Sequence, residues 1–268
     1  MNKCKIIFSD IDGTLLNSEH KITENTKKKI KEFEVSGIPF ILVSARMPAG
    51  IYPLQKDLDI KSPIVCYSGG LVIDKNGNEI ESRGIECSKA IEVKSYIDGA
   101  FNEICASLYS YNQWIVDDIE NEWIFQEVKI TNAKPICGNI KSILNNKEVH
   151  KILCMGNPEA ISELGGKLKK KYPELSVYKS KDTYLEIMDG SASKSNAIKV
   201  LCKSMNIEIE DSISFGDNYN DIDMLKVTGK GYAMGNAPDD VKREADYITL
   251  DNDKDGIAEV LKNYCFND

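Results

Sequence analysis

The residues best suited to chemistry lie in "KIIFSDIDGTLLNS", residues 5–18, where Asp10 and Asp12 stand two positions apart at the end of an apolar run and precede Gly13 and Thr14. Carboxylates this close repel each other unless a cation, a proton or a hydrogen-bond network compensates them, so the placement marks either a surface turn or a site. By average residue usage an Asp-x-Asp-Gly-Thr string arises by chance on the order of once in several hundred chains of this length, which weighs against a plain turn. A second acidic cluster, "SISFGDNYNDIDML", supplies Asp217, Asn220, Asp221 and Asp223 after another apolar run. Alone, such aspartates serve as helix caps as readily as ligands. Taken together, two carboxylate groups at two strand ends are better explained by a shared cation. An all-oxygen set without cysteine or histidine nearby points to Mg²⁺ and away from zinc. Ser44 ends "FILVS" with Arg46 two residues on, and Lys194 stands at the start of "SKSNAIKVL". A hydroxyl, an ammonium and helix N-terminal N–H groups converging on a magnesium site are what phosphoryl oxygens require. Taken singly, a turn serine and a surface lysine are the default readings.

The elements that must position these groups alternate. "KIIFS" has the composition of a fully buried strand, "TENTKKKIKEFEVSG" that of a helix capped by Thr23, "PFILVSA" a strand, "AGIYPLQKDLD" a helix and "SPIVCYS" a third strand. Alternation of this kind predicts an α/β fold built on a doubly wound parallel sheet, whose ligands bind beyond the carboxyl ends of the strands, where Asp10, Ser44 and Ser68 fall. "LVIDKNGNEIES" predicts a hairpin around Asn76-Gly77. Beyond it the texture changes: helix-like "SKAIEVKSYIDGAF", strand-like "ASLYSYNQWIVDD", helix-like "NEWIFQEVK", a turn-rich "KPICGN", then further strands and a helix. Residues 83–183 are expected to form an inserted α+β domain, with 1–82 and 184–268 as a discontinuous core. A cleft between two such domains is a common place for a small-molecule site.

Composition narrows the function classes. The chain has 268 residues and a formal net charge of -8, which argues against a nucleic-acid partner. The runs Lys27–Lys29 and Lys169–Lys171 fall in helix-like, glutamate-containing segments and are read as solvated faces. The eight cysteines are scattered without a C-x-x-C pair, and no signal peptide or apolar run of membrane-spanning length is present, so a reduced, cytoplasmic setting without membrane attachment is expected. His20 and His150 show no ligand spacing, and Gly165-Gly166-Lys167 is not a phosphate loop. Tyr109, Tyr111 and Trp114 alternate with polar residues as on a strand and are expected in a domain core more than at a substrate.

The segments "DIDGTLL", "ILVSARM", "SASKSNA" and "GDNYNDIDML", in that order, resemble the four motifs of the haloacid dehalogenase (HAD) superfamily, and the long insertion resembles the C2-type (IIB) cap of its Cof-type phosphatases. The likeness covers nearly the whole chain. Ser44-Ala45-Arg46 replaces the more usual Thr/Ser-Gly-Arg, Ser195 stands where Gly is common, and Ser68-Gly69 where Asn-Gly is common. The resemblance implies Asp10 as the nucleophile that forms an aspartyl-phosphate and Asp12 as the acid and base. It implies Mg²⁺ held by the Asp10 side chain, the Asp12 carbonyl and Asp217. Ser44 and Lys194 would bind phosphoryl oxygens, while Asn220, Asp221 and Arg46 would orient neighbouring groups. The activity expected is hydrolysis of small phosphomonoesters, sugar phosphates first, by a monomer or small homo-oligomer whose inserted domain serves as a lid. A phosphomutase or phosphotransferase is the nearest alternative, and a non-catalytic sugar-phosphate binder a more distant one.

Overall fold

The computed structural model describes residues 4–264, so Cys265 lies outside the described residues. The chain opens with β1 (Ile6–Ser9), α1 (Glu24–Val35), β2 (Phe40–Val43), α2 (Pro48–Leu58), β3 (Ile64–Cys66), β4 (Leu71–Ile73) and β5 (Glu79–Ser82). It continues through α3 (Cys87–Ala100), β6 (Cys105–Ser110), β7 (Gln113–Val116), α4 (Glu122–Thr131), β8 (Pro135–Cys137), α5 (Ile140–Leu144), β9 (Lys151–Met155), α6 (Pro158–Lys171), β10 (Leu175–Lys181) and β11 (Tyr184–Asp189). It closes with α7 (Lys194–Ser204), β12 (Ser212–Gly216), α8 (Ile222–Val227), β13 (Lys230–Ala233), α9 (Asp239–Glu244), β14 (Tyr247–Ile248) and α10 (Gly256–Leu261). The last of these helices had no counterpart in the sequence reading.

The chain divides into two compact units, one of residues 1–46, 51–81 and 193–268, the other of residues 47–50 and 82–192. In the first, the sheet order is β14-β13-β12-β1-β2-β3-β4-β5. The strands from β14 to β3 run parallel, and β4 returns antiparallel to β3. Every residue of β1, β2 and β12 is buried, as strands covered on both faces require. One face packs Ile6, Phe8, Ile41 and Val43 against Ala197, Ile198 and Leu201 of α7 and Met224 of α8. α1 starts where the Thr23 hydroxyl accepts the Thr26 N–H, a cap worth about 1 kcal/mol. Its lysines are tied at the surface, Lys27 to Glu24 and Asp57 and Lys29 to Glu32.

The second unit has the sheet order β10-β11-β9-β6-β7-β8. Leu108, Ile115, Ile152 and Leu185 pack there against Val93 and Ile97 of α3 and Ile161 and Leu164 of α6. The boundary expected at residue 183 moves: β11 pairs antiparallel with both β10 and β9, so it belongs to this sheet, and the unit runs to Ala192. The stretch 106–118, expected as one strand, is a hairpin of β6 and β7, because Tyr111 adopts φ 51° and reverses the chain. "KPICGN" contributes a short strand, β8, parallel to β7. Tyr109 and Trp114 stack at 5.6 Å and are buried, and the Trp114 indole donates to Ser107 at 3.0 Å, which places them as core. Among the described residues no helix is long and apolar enough to cross a membrane, and the described cysteines are free.

His150 in this unit is fully buried; its Nδ1 accepts the Tyr111 N–H at 3.0 Å, so the proton sits on Nε2, 3.0 Å from Ser82 Oγ, which itself donates to Glu148. Burial pushes the imidazole down to about 4, against the opposing pull of Glu148. The unfolded chain therefore binds a proton near pH 6.5 that the folded one refuses until about pH 4. The stability present above pH 6.5 is expected to fall by about 3 kcal/mol between those limits and then to level off. Denaturant midpoints across pH 4–7, compared with His150→Gln, check this; identical pH profiles would refute it.

Candidate active site

β1 lies between β2 and β12, the point where the strand order reverses and the loops leaving neighbouring strands part. Asp10 follows β1 directly and is tied to β12 by its N–H to the Phe215 carbonyl at 3.0 Å, while Asp217 follows β12. The parallel register sets Ser9 opposite Phe215, so the two carboxylates leave the sheet side by side. Lys194 is the first residue of α7, and its ammonium lies 2.5 Å from Asp10 Oδ1 and 2.5 Å from Asp221 Oδ1, all but sealed from solvent. One carboxylate oxygen from each of Asp10, Asp217 and Asp221 falls within 4.8 Å of the others.

The surrounding hydrogen bonds assign distinct tasks to these carboxylates. Asp221 is committed on both oxygens, Oδ1 to Lys194 and Oδ2 to the N–H groups of Asp217 and Asn218, each at 2.9 Å. It therefore shapes the loop and holds the ammonium. Asp217 Oδ1 accepts the Thr14 hydroxyl at 2.6 Å. Gly13 makes this approach possible: it has φ +83°, and a Cβ there would stand 2.4 Å from Asp217 Oδ2. Burial pushes Asp217 up to about 6, with the Thr14 hydrogen bond opposing. Burial also raises Asp10 well above the carboxylate range, Lys194 pulling down and Asp221 and Asp217 pushing up. Lys194 is pushed up because the attraction of Asp10 and Asp221 exceeds its own desolvation. Three carboxylates around one ammonium thus hold excess negative charge in a dry place.

Asp12 stands apart from this cluster. Its carboxylate accepts Arg46 Nε at 2.9 Å and Nη2 at 2.5 Å, a two-pronged pair on half-exposed side chains. Ser44 is buried at the end of β2, and its Oγ accepts the Arg46 N–H at 3.2 Å. The structure thus brings Asp10, Lys194, Asp217 and Asp221 into contact and pairs Asp12 with Arg46. Asn220 is not brought in: it is exposed on the short turn of residues 219–221, and its neighbour Asn218 makes the contact to Asp221 through its backbone.

The sequence reading left three supporting residues without a role. Thr14 steadies Asp217, the Ser193 hydroxyl accepts the Asn196 N–H at 3.1 Å, and Asp223 Oδ2 accepts the Ser195 N–H at 3.0 Å. The last two fix the start of α7 and hence the root of Lys194. Each lay inside a quoted motif, where a capping serine or aspartate is the signal.

Replacing Lys194 by Met leaves Asp10 and Asp221 buried without their cation, and unfolding stability near neutral pH should drop by about 3–5 kcal/mol. Asp10, raised already, rises further in that variant, so its folded form gains protons as pH falls and the deficit shrinks toward pH 5. Thermal melts of both proteins from pH 5 to 8 measure this; a deficit independent of pH would show that the ammonium does not compensate these carboxylates.

Comparisons with known proteins give the family. Residues 7–261 match the family model of haloacid dehalogenase-like hydrolases. A Haemophilus influenzae protein named "Putative phosphatase" is 36% identical over 260 residues, 96% of this chain and 97% of that one. A haloacid dehalogenase-like hydrolase from Bacteroides thetaiotaomicron superposes with a TM-score of 0.87 at 28% identity, covering 97% of this chain and 99% of that chain. The HAD subclass IIB sugar phosphatase BT4131 shares the fold, with a TM-score of 0.81 at 23% identity over 98% of this chain and all of its own. The chain belongs to the haloacid dehalogenase-like hydrolases.

Proposed function

We propose that this protein is a Mg²⁺-dependent phosphomonoesterase for small soluble organic phosphates, with sugar phosphates the leading class, acting through an aspartyl-phosphate on Asp10. The observation that carries the reading is the buried set of Asp10, Asp217 and Asp221 about the Lys194 ammonium. Fully ionised, it bears three negative charges and one positive; burial pushes Asp10 and Asp217 up, and the neighbouring carboxylates add to that push. A divalent cation removes the excess negative charge. The donors left over suit Mg²⁺: with Asp221 and Asp10 Oδ1 committed to Lys194, the other Asp10 oxygen and Asp217 remain, and the family resemblance adds the Asp12 carbonyl, all hard oxygens. When bound there, Mg²⁺ neutralises the carboxylates and draws charge from a phosphoryl oxygen.

This chain's own residues then divide the work. Asp10, held by Lys194 and by its backbone bond to β12, attacks phosphorus; its oxygen–phosphorus bond forms as the ester oxygen–phosphorus bond breaks. Lys194 and Ser44 hold phosphoryl oxygens. Asp12 gives a proton to the leaving alkoxide and takes one from the water that cleaves the acyl phosphate. Both Asp12 oxygens accept from the Arg46 fork, which fixes the direction in which this carboxylate faces.

Purified protein is expected to release orthophosphate from sugar phosphates with Mg²⁺ and to stop with EDTA. Asp10→Asn should lower turnover by about 10³-fold or more while circular dichroism stays unchanged. Activity retained in that variant would sink the assignment, and label passing from one sugar phosphate into a second sugar would turn it into a phosphotransferase.

A further inference from the structure

The carboxyl end of β3 carries a hydroxyl that the chemistry above leaves unused. There the chain enters one short turn, Tyr67–Gly69, in which three successive residues have positive φ: Tyr67 at 51°, Ser68 at 51° and Gly69 at 102°. The left-handed region is unfavourable for residues with a side chain, and such backbone persists where its surroundings fix it. Here they do. The Ser68 N–H donates to the Ser44 carbonyl at 2.9 Å, and a Cβ on Gly69 would stand 2.1 Å from the Ser193 carbonyl oxygen and 3.1 Å from the Lys194 nitrogen. Ser68 is therefore wedged between the end of β2 and the root of α7, beside both residues assigned to phosphoryl oxygens.

Its side chain is 8% exposed, and among the described residues Ser68 Oγ is one of the few buried side-chain polar atoms that no protein group hydrogen-bonds. Nearby serines behave otherwise: Ser9 Oγ donates to the Asp10 carbonyl at 2.7 Å, and Ser44 Oγ accepts the Arg46 N–H at 3.2 Å. A buried hydroxyl that does not turn back on its own backbone is free to serve a ligand. Strand order tells which part of the ligand. β1, β2 and β3 are neighbours in the sheet, spaced by about 4.8 Å, so Ser44 stands one strand from Asp10 and Ser68 two, roughly 10 Å across. Oxygens of a phosphoryl group bonded to Asp10 reach the first distance and not the second; the alcohol part of the ester reaches the second. We propose that Ser68 is a specificity residue whose hydroxyl hydrogen-bonds a hydroxyl on the alcohol part of the substrate, which makes that alcohol a polyol. The inference rests on the phosphatase reading of the same site.

The test uses full-length Ser68→Ala and Ser68→Gly. Phosphate release is measured on glucose 6-phosphate, glycerol 1-phosphate and p-nitrophenyl phosphate, and affinity for glucose 6-phosphate and for inorganic phosphate by calorimetry. Both variants should raise KM and Kd for the polyol phosphates roughly three- to tenfold, the loss of one neutral hydrogen bond, with kcat and all values for p-nitrophenyl phosphate and inorganic phosphate unchanged. Glycine relieves the left-handed backbone, so a loss seen with alanine alone marks strain and overturns the proposal. Equal losses on all ligands, no loss on any, or a wild-type enzyme that hydrolyses only p-nitrophenyl phosphate overturn it too. Wild-type protein that binds glucose 6-phosphate without releasing phosphate defeats the phosphatase reading alone, and the Ser68 contact is then decided by the affinities. If it neither binds nor hydrolyses, both fall.

Discussion

A single buried ammonium organises this molecule's candidate active site. Lys194 pairs with Asp10 and Asp221 at once. Buried ion clusters of this kind are poor sources of stability, since desolvating each charge offsets most of the attraction, and an apolar replacement often folds as well or better. Their presence at the switch point of a sheet whose neighbouring strands are buried throughout is therefore a functional commitment. The fold supports it with rigid parts: two fully buried parallel strands in fixed register deliver the carboxylates, and a helix start held by Ser193 and Asp223 delivers the lysine.

Register matters more here than sequence proximity. A one-residue slip of β12 against β1 would turn its side chains to the opposite face and carry Asp217 away from Asp10. Burial on both faces makes such a slip costly, because Ile213 and Phe215 are core residues. The same logic explains Gly13, where close passage of the chain over Asp217 leaves no space for a side chain.

How much of this was legible in the sequence follows from the range of each interaction. β1, β2, α1 and the parallel alternation were legible, because apolar runs, a capping Thr23 and short punctuated segments are local signals. Asp10, Asp12, Asp217, Asp221, Lys194 and Ser44 were legible as candidates because motifs place them at strand ends or helix starts. Their partnerships were not. Arg46 forks Asp12 at a sequence separation of 34, and Lys194 reaches Asp10 at a separation of 184. Asn218 meets Asp221 through its backbone N–H, a contact that residue type does not signal, while Asn220 is exposed. In the second unit the hairpin at Tyr111 escaped because tyrosine is not a usual residue for positive φ, and β11 was cut off because only its pairing with β9 and β10 shows where it belongs.

The two aspartates that open the motif end in opposite environments, and this resolves their closeness. Asp10 is 7% exposed and faces an ammonium and two further carboxylates, whereas the Asp12 side chain is 52% exposed and faces a guanidinium near solvent. One carboxyl is thereby dry, oriented and short of positive charge, which suits a nucleophile that works once a cation is present. The other is half exposed beside a guanidinium, which suits a residue that must both release and accept a proton. A spacing of two achieves the division because the first aspartate still follows the line of the buried strand, while the second has already entered the turn that Gly13 bends.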